Sequence, residues 1–144
     1  MQPLIVLAEA PQEADHQAIL EALIAYNDAA GGPSGYQPVA VLVRHPETGA
    51  TIGGLWGRIL YDWLFVELLV APAEFRGTGL GTRLMQTAEA KARASGCVGV
   101  WLDTFAFQAP EFYRRLGYEQ FGELPDHPRG SSRHFFMKRL GAVA

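Results

Sequence analysis

The chain has a single cysteine among 144 residues, Cys97, so no internal disulfide can staple it. Its four histidines, at positions 16, 45, 127 and 134, lie scattered. With one thiol they offer no zinc-ligand spacing, and no metal site is expected. No apolar run reaches the ~18 residues that a membrane span needs; the nearest, Trp63 to Ala73, is broken by Glu67. The opening residues MQPLIVLAEAP carry no basic segment, which speaks against a secretory signal and for a cytoplasmic protein away from membranes. Charge is sparse, 19% of residues with a net value of −3, and argues against nucleic acid as a partner. Yet a composition that is 49% hydrophobic is too apolar for disorder, and a chain of this length can bury a core. One domain over residues 1–144 is expected.

The charge that is present is unevenly placed. Residues 1–75 hold two basic residues, Arg44 and Arg58, against nine acidic ones, or −7; residues 76–144 hold ten basic against six acidic, or +4. A polar ligand with a phosphate-rich end suits such a divide.

Periodicity and turn signals give the element order. Leu4 to Ala8 reads as a first strand, and Gln12 to about Ala30 as a helix stopped by Gly31-Gly32-Pro33. Strands over Pro38–Arg44 and Ala50–Leu60 form a hairpin. The apolar run Trp63–Val70 is the expected central strand. A helix from about Gly79 to Ser95 repeats Leu80, Leu84, Ala88 and Ala92, with Glu89 and Arg93 as an i,i+4 ion pair and Gly96 closing it. A strand over Cys97–Thr104 should lie parallel to Trp63–Val70, because a helix joins them. A short helix over Ala109–Leu116 and strands over Tyr118–Leu124 and Arg133–Leu140 finish the chain. The order β-α-β-β-β-α-β-α-β-β predicts an α+β fold with a mixed sheet of 6–7 strands and 3–4 helices.

The chemistry concentrates between Val70 and Met85, a strand, a loop and a helix start. Gly77, Gly79 and Gly81 allow sharp turns that bring successive N–H groups near a ligand. The loop feeds a helix N-terminus, which favours an anion, and Arg76 adds a fixed positive charge suited to phosphate. The physics is that of a pyrophosphate cradle. A Walker loop is excluded because no lysine lies here, and a Rossmann fingerprint because the glycines run G-x-G-x-G.

At these residues the sequence resembles the GNAT superfamily of N-acetyltransferases. Leu68-Leu69-Val70 followed by Arg76-Gly-Thr-Gly-Leu-Gly81 is similar to the family's acetyl-coenzyme A signature. Phe112-Tyr113-Arg-Arg-Leu-Gly-Tyr118 is similar to its second motif, and the element order matches over nearly the whole chain. The resemblance implies a GNAT-like fold and acetyl-CoA as co-substrate. It implies pantetheine pairing with the backbone at Leu68 and Val70, beside Leu69, and the thioester carbonyl polarised by an N–H near Leu68. The diphosphate would rest on N–H groups of Arg76, Gly77, Thr78, Gly79, Leu80 and Gly81, with the Thr82 hydroxyl as a further donor. Gln108 stands near where many relatives place a cofactor-contacting Asn. Tyr113 matches the tyrosine that protonates the departing thiolate.

An attacking amine must be neutral, so a base is needed. Glu67, the one charge in an apolar strand beside the thioester position, is the first candidate, with burial expected to raise its pKa. Asp103, His127 and His134 stand behind it. Cys97 reads as core packing. Trp56, Tyr61, Trp63, Phe105 and Phe107 are core aromatics or an acceptor wall. The reading is an N-acetyltransferase acting on a primary amine by direct attack in a ternary complex. A non-catalytic acetyl-CoA sensor is the alternative, and the last strand and exposed aromatics leave a homodimer open.

Overall fold

A computed structural model describes residues 1–141. The chain separates into two units, Met1–Ser34 and Gly35 onward. The first contains one helix, α1 (Glu13–Gly31), which buries none of its residues. Its start is fixed by the Gln12 backbone N–H donating to Asp15 at 3.2 Å, half of a capping box. The strand expected over Leu4–Ala8 is absent: these residues belong to no regular element. A strand exists only through its pairing, and an apolar run of five residues supplies no partner of its own.

The second unit is a six-stranded sheet with a helix pair on one face. Its strands are β1 (Gln37–Arg44), β2 (Thr51–Leu60), β3 (Trp63–Val70), β4 (Gly99–Phe105), β5 (Glu119–Pro125) and β6 (Ser132–Arg139), in the spatial order β1-β2-β3-β4-β6-β5. All pairs are antiparallel except β3 with β4, the parallel neighbours that a helical crossover demands. The helices are α2 (Leu80–Ala94) and α3 (Pro110–Arg115). The GNAT-like α+β fold expected from the motifs is therefore present, with six strands and three α-helices among the described residues.

Alternation sorts each strand. Leu55 and Ile59 of β2, Leu64 and Val66 of β3, Val100 and Leu102 of β4 and Phe136 of β6 meet Leu84, Met85, Ala88 and Ala92 of α2 in one core. Gly96, at φ +77°, ends α2, and the Cys97 N–H donates back to Ala92 at 2.9 Å. Cys97 is buried as expected. Glu89 departs from expectation. Rather than pairing with Arg93 along the helix, it turns inward, 5% exposed. There it accepts from the Tyr118 hydroxyl at 2.8 Å and from Lys138 at 3.1 and 3.4 Å. Position 89 lies one turn from Met85 and so falls on the core stripe. A buried carboxylate needs such partners, and burial together with Glu89 pushes the Tyr118 phenol far up.

Candidate active site

The site begins where β3 and β4 stop pairing. They run in register from Trp63↔Gly99 to Val66↔Leu102 and no further. Beyond that, β3 continues to Val70 paired to β2 alone, while Asp103–Phe105 pair with β6 alone. The divergence starts at a bulge. Gly57 faces Val66 and Trp56 faces Leu68, leaving Glu67 as the extra residue. A bulge bends its strand and re-aims the residues that follow. Gly57 permits this tight pairing, since a Cβ there would lie 2.3 Å from the Phe65 carbonyl oxygen.

The two strands splay into a cleft of about 970 Å³. One wall is Val66 to Ala71, the other Asp103 and Thr104 with Phe107, Gln108 and Ala109, and the floor carries Phe112 and Tyr113. At the mouth lie Arg76, Gly77, Gly79, Leu80, Gly81 and Thr82. The loop enters α2 through Gly79, held at φ +80° and ψ 10° as the residue before the first helical turn. Among the described residues, no backbone carbonyl accepts from the N–H groups of Gly77 through Thr82. Those of Leu80, Gly81 and Thr82 are the donors that a helix start always leaves over. A run of donors beside a guanidinium is an anion cradle.

The structure thus brings Glu67, Leu68, Leu69, Val70, Arg76, Gly77, Gly79, Leu80, Gly81, Thr82, Gln108 and Tyr113 to one cleft. Thr78 is the exception among the expected cradle residues. Its hydroxyl donates to the Phe75 carbonyl at 2.5 Å, and it is not part of the lining. Gln108 is held firmly: its side-chain oxygen accepts from the Thr104 hydroxyl at 2.9 Å and the Phe105 N–H at 2.8 Å. This clamps the turn from β4 into α3 and leaves the amide NH2 as the group it can offer a ligand.

Tyr113 is 9% exposed. Its ring packs against Phe112, Tyr118 and Phe136 at centroid distances of 5.0, 6.1 and 6.0 Å. Burial first, and the Asp103 carboxylate second, push its phenol up to about 12. It therefore stays protonated at neutral pH and faces the cleft as a donor.

Glu67 is where expectation and structure part. Its side chain is 49% exposed and lies 3.7 Å from the Arg58 guanidinium. The dry setting expected of it is missing because the bulge carries it to the rim. Asp103 is the more enclosed carboxylate of the cleft, 17% exposed and ion-paired with Arg133, whose Nε donates to it at 2.9 Å. His127 contacts Arg133 at 3.2 Å and sets its ring edge to Phe105. His134 contacts the Ser132 hydroxyl at 2.9 Å. Neither histidine lines the cleft, nor do Trp56, Tyr61, Trp63 or Phe105, whereas Phe107 does. Arg115 also lines it. Sequence reading passed over this second cation, although it stands two residues from Tyr113. No cluster of three or more metal-ligating side chains occurs among the described residues, and no helix among them is long and apolar enough to cross a membrane.

The cleft between the splayed parallel strands has a glycine-rich loop and a guanidinium at its mouth and a tyrosine on its floor, an arrangement with room for an extended anionic ligand. The chain belongs to the acetyltransferase (GNAT) family, whose pattern matches residues 6–118. It is 46% identical over 95 residues, 65% of this chain and 70% of the relative, to blasticidin-S acetyltransferase of Streptomyces morookaense. It is 34% identical over 135 residues, 94% of this chain and 98% of the other, to acetyltransferase Atu2258 of Agrobacterium fabrum. The crystal structure of an acetyltransferase from Bacillus cereus superposes with a TM-score of 0.79 at 33% identity, covering 94% of this chain and 98% of that one.

Proposed function

We propose that this enzyme transfers the acetyl group of acetyl-CoA to a primary amine by direct attack within a ternary complex. The observation that carries the reading is the splay after Val66 and Leu102, which leaves one edge of Leu68–Val70 without a strand partner beside the cradle. Pantetheine, with amides of its own, suits that edge, and the diphosphate suits the N–H groups of residues 77–82 with Arg76. The family match spans both units of the chain, in keeping with one acetyltransferase domain over residues 1–144.

The amine nitrogen adds its lone pair to the thioester carbonyl carbon, and the developing oxyanion takes a backbone N–H near Leu68. The C–S bond then breaks, and sulfur leaves with the electron pair. Tyr113 offers its proton to that sulfur. Burial strengthens its hold on the proton, so Tyr113 acts first as a hydrogen-bond donor to the departing sulfur, and the proton that the sulfur finally takes is restored to the phenol from solvent. The ammonium proton goes to a carboxylate at the acceptor side or to water. Glu67 at the rim and Asp103 on the wall place two acidic groups there, which favours a cationic amine. The similarity to blasticidin-S acetyltransferase puts blasticidin-S itself among the acceptors to try.

A thiol-release assay with acetyl-CoA against a panel of small amines tests this. Release that depends on the amine is expected. Acetyl-CoA binding with no release for any amine would establish the sensor reading instead.

A further inference from the structure

Two guanidiniums line the cleft, those of Arg76 and Arg115, and among the described residues neither is held by an acidic side chain. The ion pairs go elsewhere: Arg58 takes Glu67, Arg114 takes Glu111, Arg133 takes Asp103 and Lys138 takes Glu89. Glu111 stands one helical turn before Arg115, at the spacing that usually pairs, yet it is bound to Arg114. Arg114 also donates to Gln120 at 2.8 Å and lies over the Phe136 ring. One arginine of the pair is therefore committed to the protein, and its neighbour is left facing the cleft. The packing of α3 shows which part of the cleft Arg115 faces. A Cβ on Gly81 would lie 3.2 Å from the Phe112 ring, so the Phe112 side of α3 rests on the first turn of α2. Arg115, three residues on, shares that side. Arg76 thus approaches the cradle from the loop before α2, and Arg115 approaches it from α3.

Charge matching says what a second cation is for. A coenzyme A thioester carries two separate anionic groups. Its diphosphate holds one negative charge on each phosphorus, and the phosphomonoester on its ribose holds about −1.5 to −2 at neutral pH. The start of α2 supplies roughly half a positive charge and Arg76 a whole one. Together they come close to balancing the diphosphate and leave nothing for the monoester. A monoester has three terminal oxygens, and a guanidinium fork matches two of them at once. Arg115 is exposed, as a contact to a group at the outer end of the ligand requires. Arg83, on the first turn of α2, does not line the cleft.

Building on the acetyl-CoA reading of the cleft, we propose that Arg115 binds the ribose 3′-phosphate of the donor and so selects coenzyme A over its form lacking that phosphate. Arg76 and the N–H run serve the diphosphate, which both forms possess. The two cations therefore divide the work: Arg76 sets affinity for either ligand, and Arg115 sets the difference between them. Because Arg115 is exposed, its contribution falls as salt rises.

Calorimetric titration of the full chain with coenzyme A and with 3′-dephospho-coenzyme A, at low ionic strength, tests this. The wild-type chain should prefer coenzyme A by about tenfold. Arg115→Gln should erase that preference by weakening coenzyme A to the level of the dephospho form, whose own affinity stays within about twofold. Arg76→Gln should weaken both ligands alike and keep the preference. Arg83→Gln, a loss of the same charge outside the cleft, should change neither. A preference that survives Arg115→Gln overturns the proposal. So does an Arg115→Gln chain that loses affinity for both forms equally, which would place Arg115 on the diphosphate. A wild-type chain that binds both forms with equal affinity overturns this role of Arg115 and leaves the acetyl-CoA reading standing. One that binds neither overturns both.

Discussion

One strand, β3, behaves in two ways along its length. From Trp63 to Val66 it is paired on both sides, and Leu64 and Val66 are 0% and 4% exposed. From Glu67 to Val70 it is paired on one side, and Leu68 and Val70 are 59% and 56% exposed. The residue types hardly change across the boundary. What changes is β4, which follows for four residues and then turns to β6. Apolar side chains thus hold the core in the first half, whereas in the second Leu68 and Val70 stand open at the cleft and only Leu69 still packs against the core. The lesson is that a Leu on this strand reports stability or binding according to which side of the bulge it occupies.

The largest expected effect lies on the floor of the open half. Tyr113→Phe removes one hydroxyl from a packed ring. Turnover should fall by about 10²–10⁴-fold with acetyl-CoA affinity nearly kept, as measured in single-turnover assays. The phenol titrates near 12, so Tyr113 should impose no fall in rate across neutral and moderately alkaline pH. The same shift bears on stability. The native state keeps this proton between about pH 10, where the unfolded phenol loses it, and about pH 12. Stability should therefore decline as pH rises through that window, and less so in Tyr113→Phe.

The two halves of β3 should then separate in a paired experiment. Leu64→Ala leaves a cavity in the closed half and should cost about 2–5 kcal/mol in denaturant unfolding, with acetyl-CoA affinity unchanged at temperatures where the variant is folded. Leu68→Ala should change stability by no more than about 0.5 kcal/mol yet weaken acetyl-CoA binding about tenfold, through the lost apolar contact. Equal behaviour of the two variants would remove the distinction. Gly79→Val sharpens it from the cradle side. A β-branched residue at φ +80° is strained and would crowd the approach to the N–H run. Calorimetric titration should show acetyl-CoA affinity lost or reduced about 100-fold.

Much of this arrangement was readable before any coordinates. The limits of β3, its parallel partner and the glycine loop entering α2 follow from local signals: turn residues, periodicity, and the topological need for a helix between parallel strands; Tyr113 was singled out only by the family resemblance. Three features were not readable, each for a physical reason. The bulge at Glu67 is a matter of register between β2 and β3, and it was the apolar surroundings of Glu67 in the strand, not alternation along β3, that suggested burial where the structure leaves it half-exposed. Glu89 reads as a surface partner of Arg93 until Tyr118 and Lys138, far away in sequence, are brought to it. The run Leu4–Ala8 has strand composition, but pairing belongs to two segments and only one is visible in a local window.

The smallest effect concerns the rim of the open half, and it distinguishes two carboxylates. Glu67 is half-exposed and its ion pair with Arg58 spans 3.7 Å, so Glu67→Gln should alter stability by less than about 1 kcal/mol. As the proton acceptor, Glu67 would need to meet the incoming ammonium directly, and its loss would remove the acidic limb of the pH–rate profile. As an attractor of cationic amines, its loss would raise KM and leave that limb in place, since only uniform binding is removed. The rim position and the Arg58 pairing favour the second outcome, with a KM increase of about two- to tenfold. Asp103→Asn supplies the contrast. Asp103 is enclosed beside Tyr113 and bound to Arg133, so its replacement should lower the Tyr113 pKa, because one of the two causes that raise it disappears. A Glu67→Gln enzyme that loses its acidic limb while Asp103→Asn keeps it would reverse this assignment and make Glu67 the base.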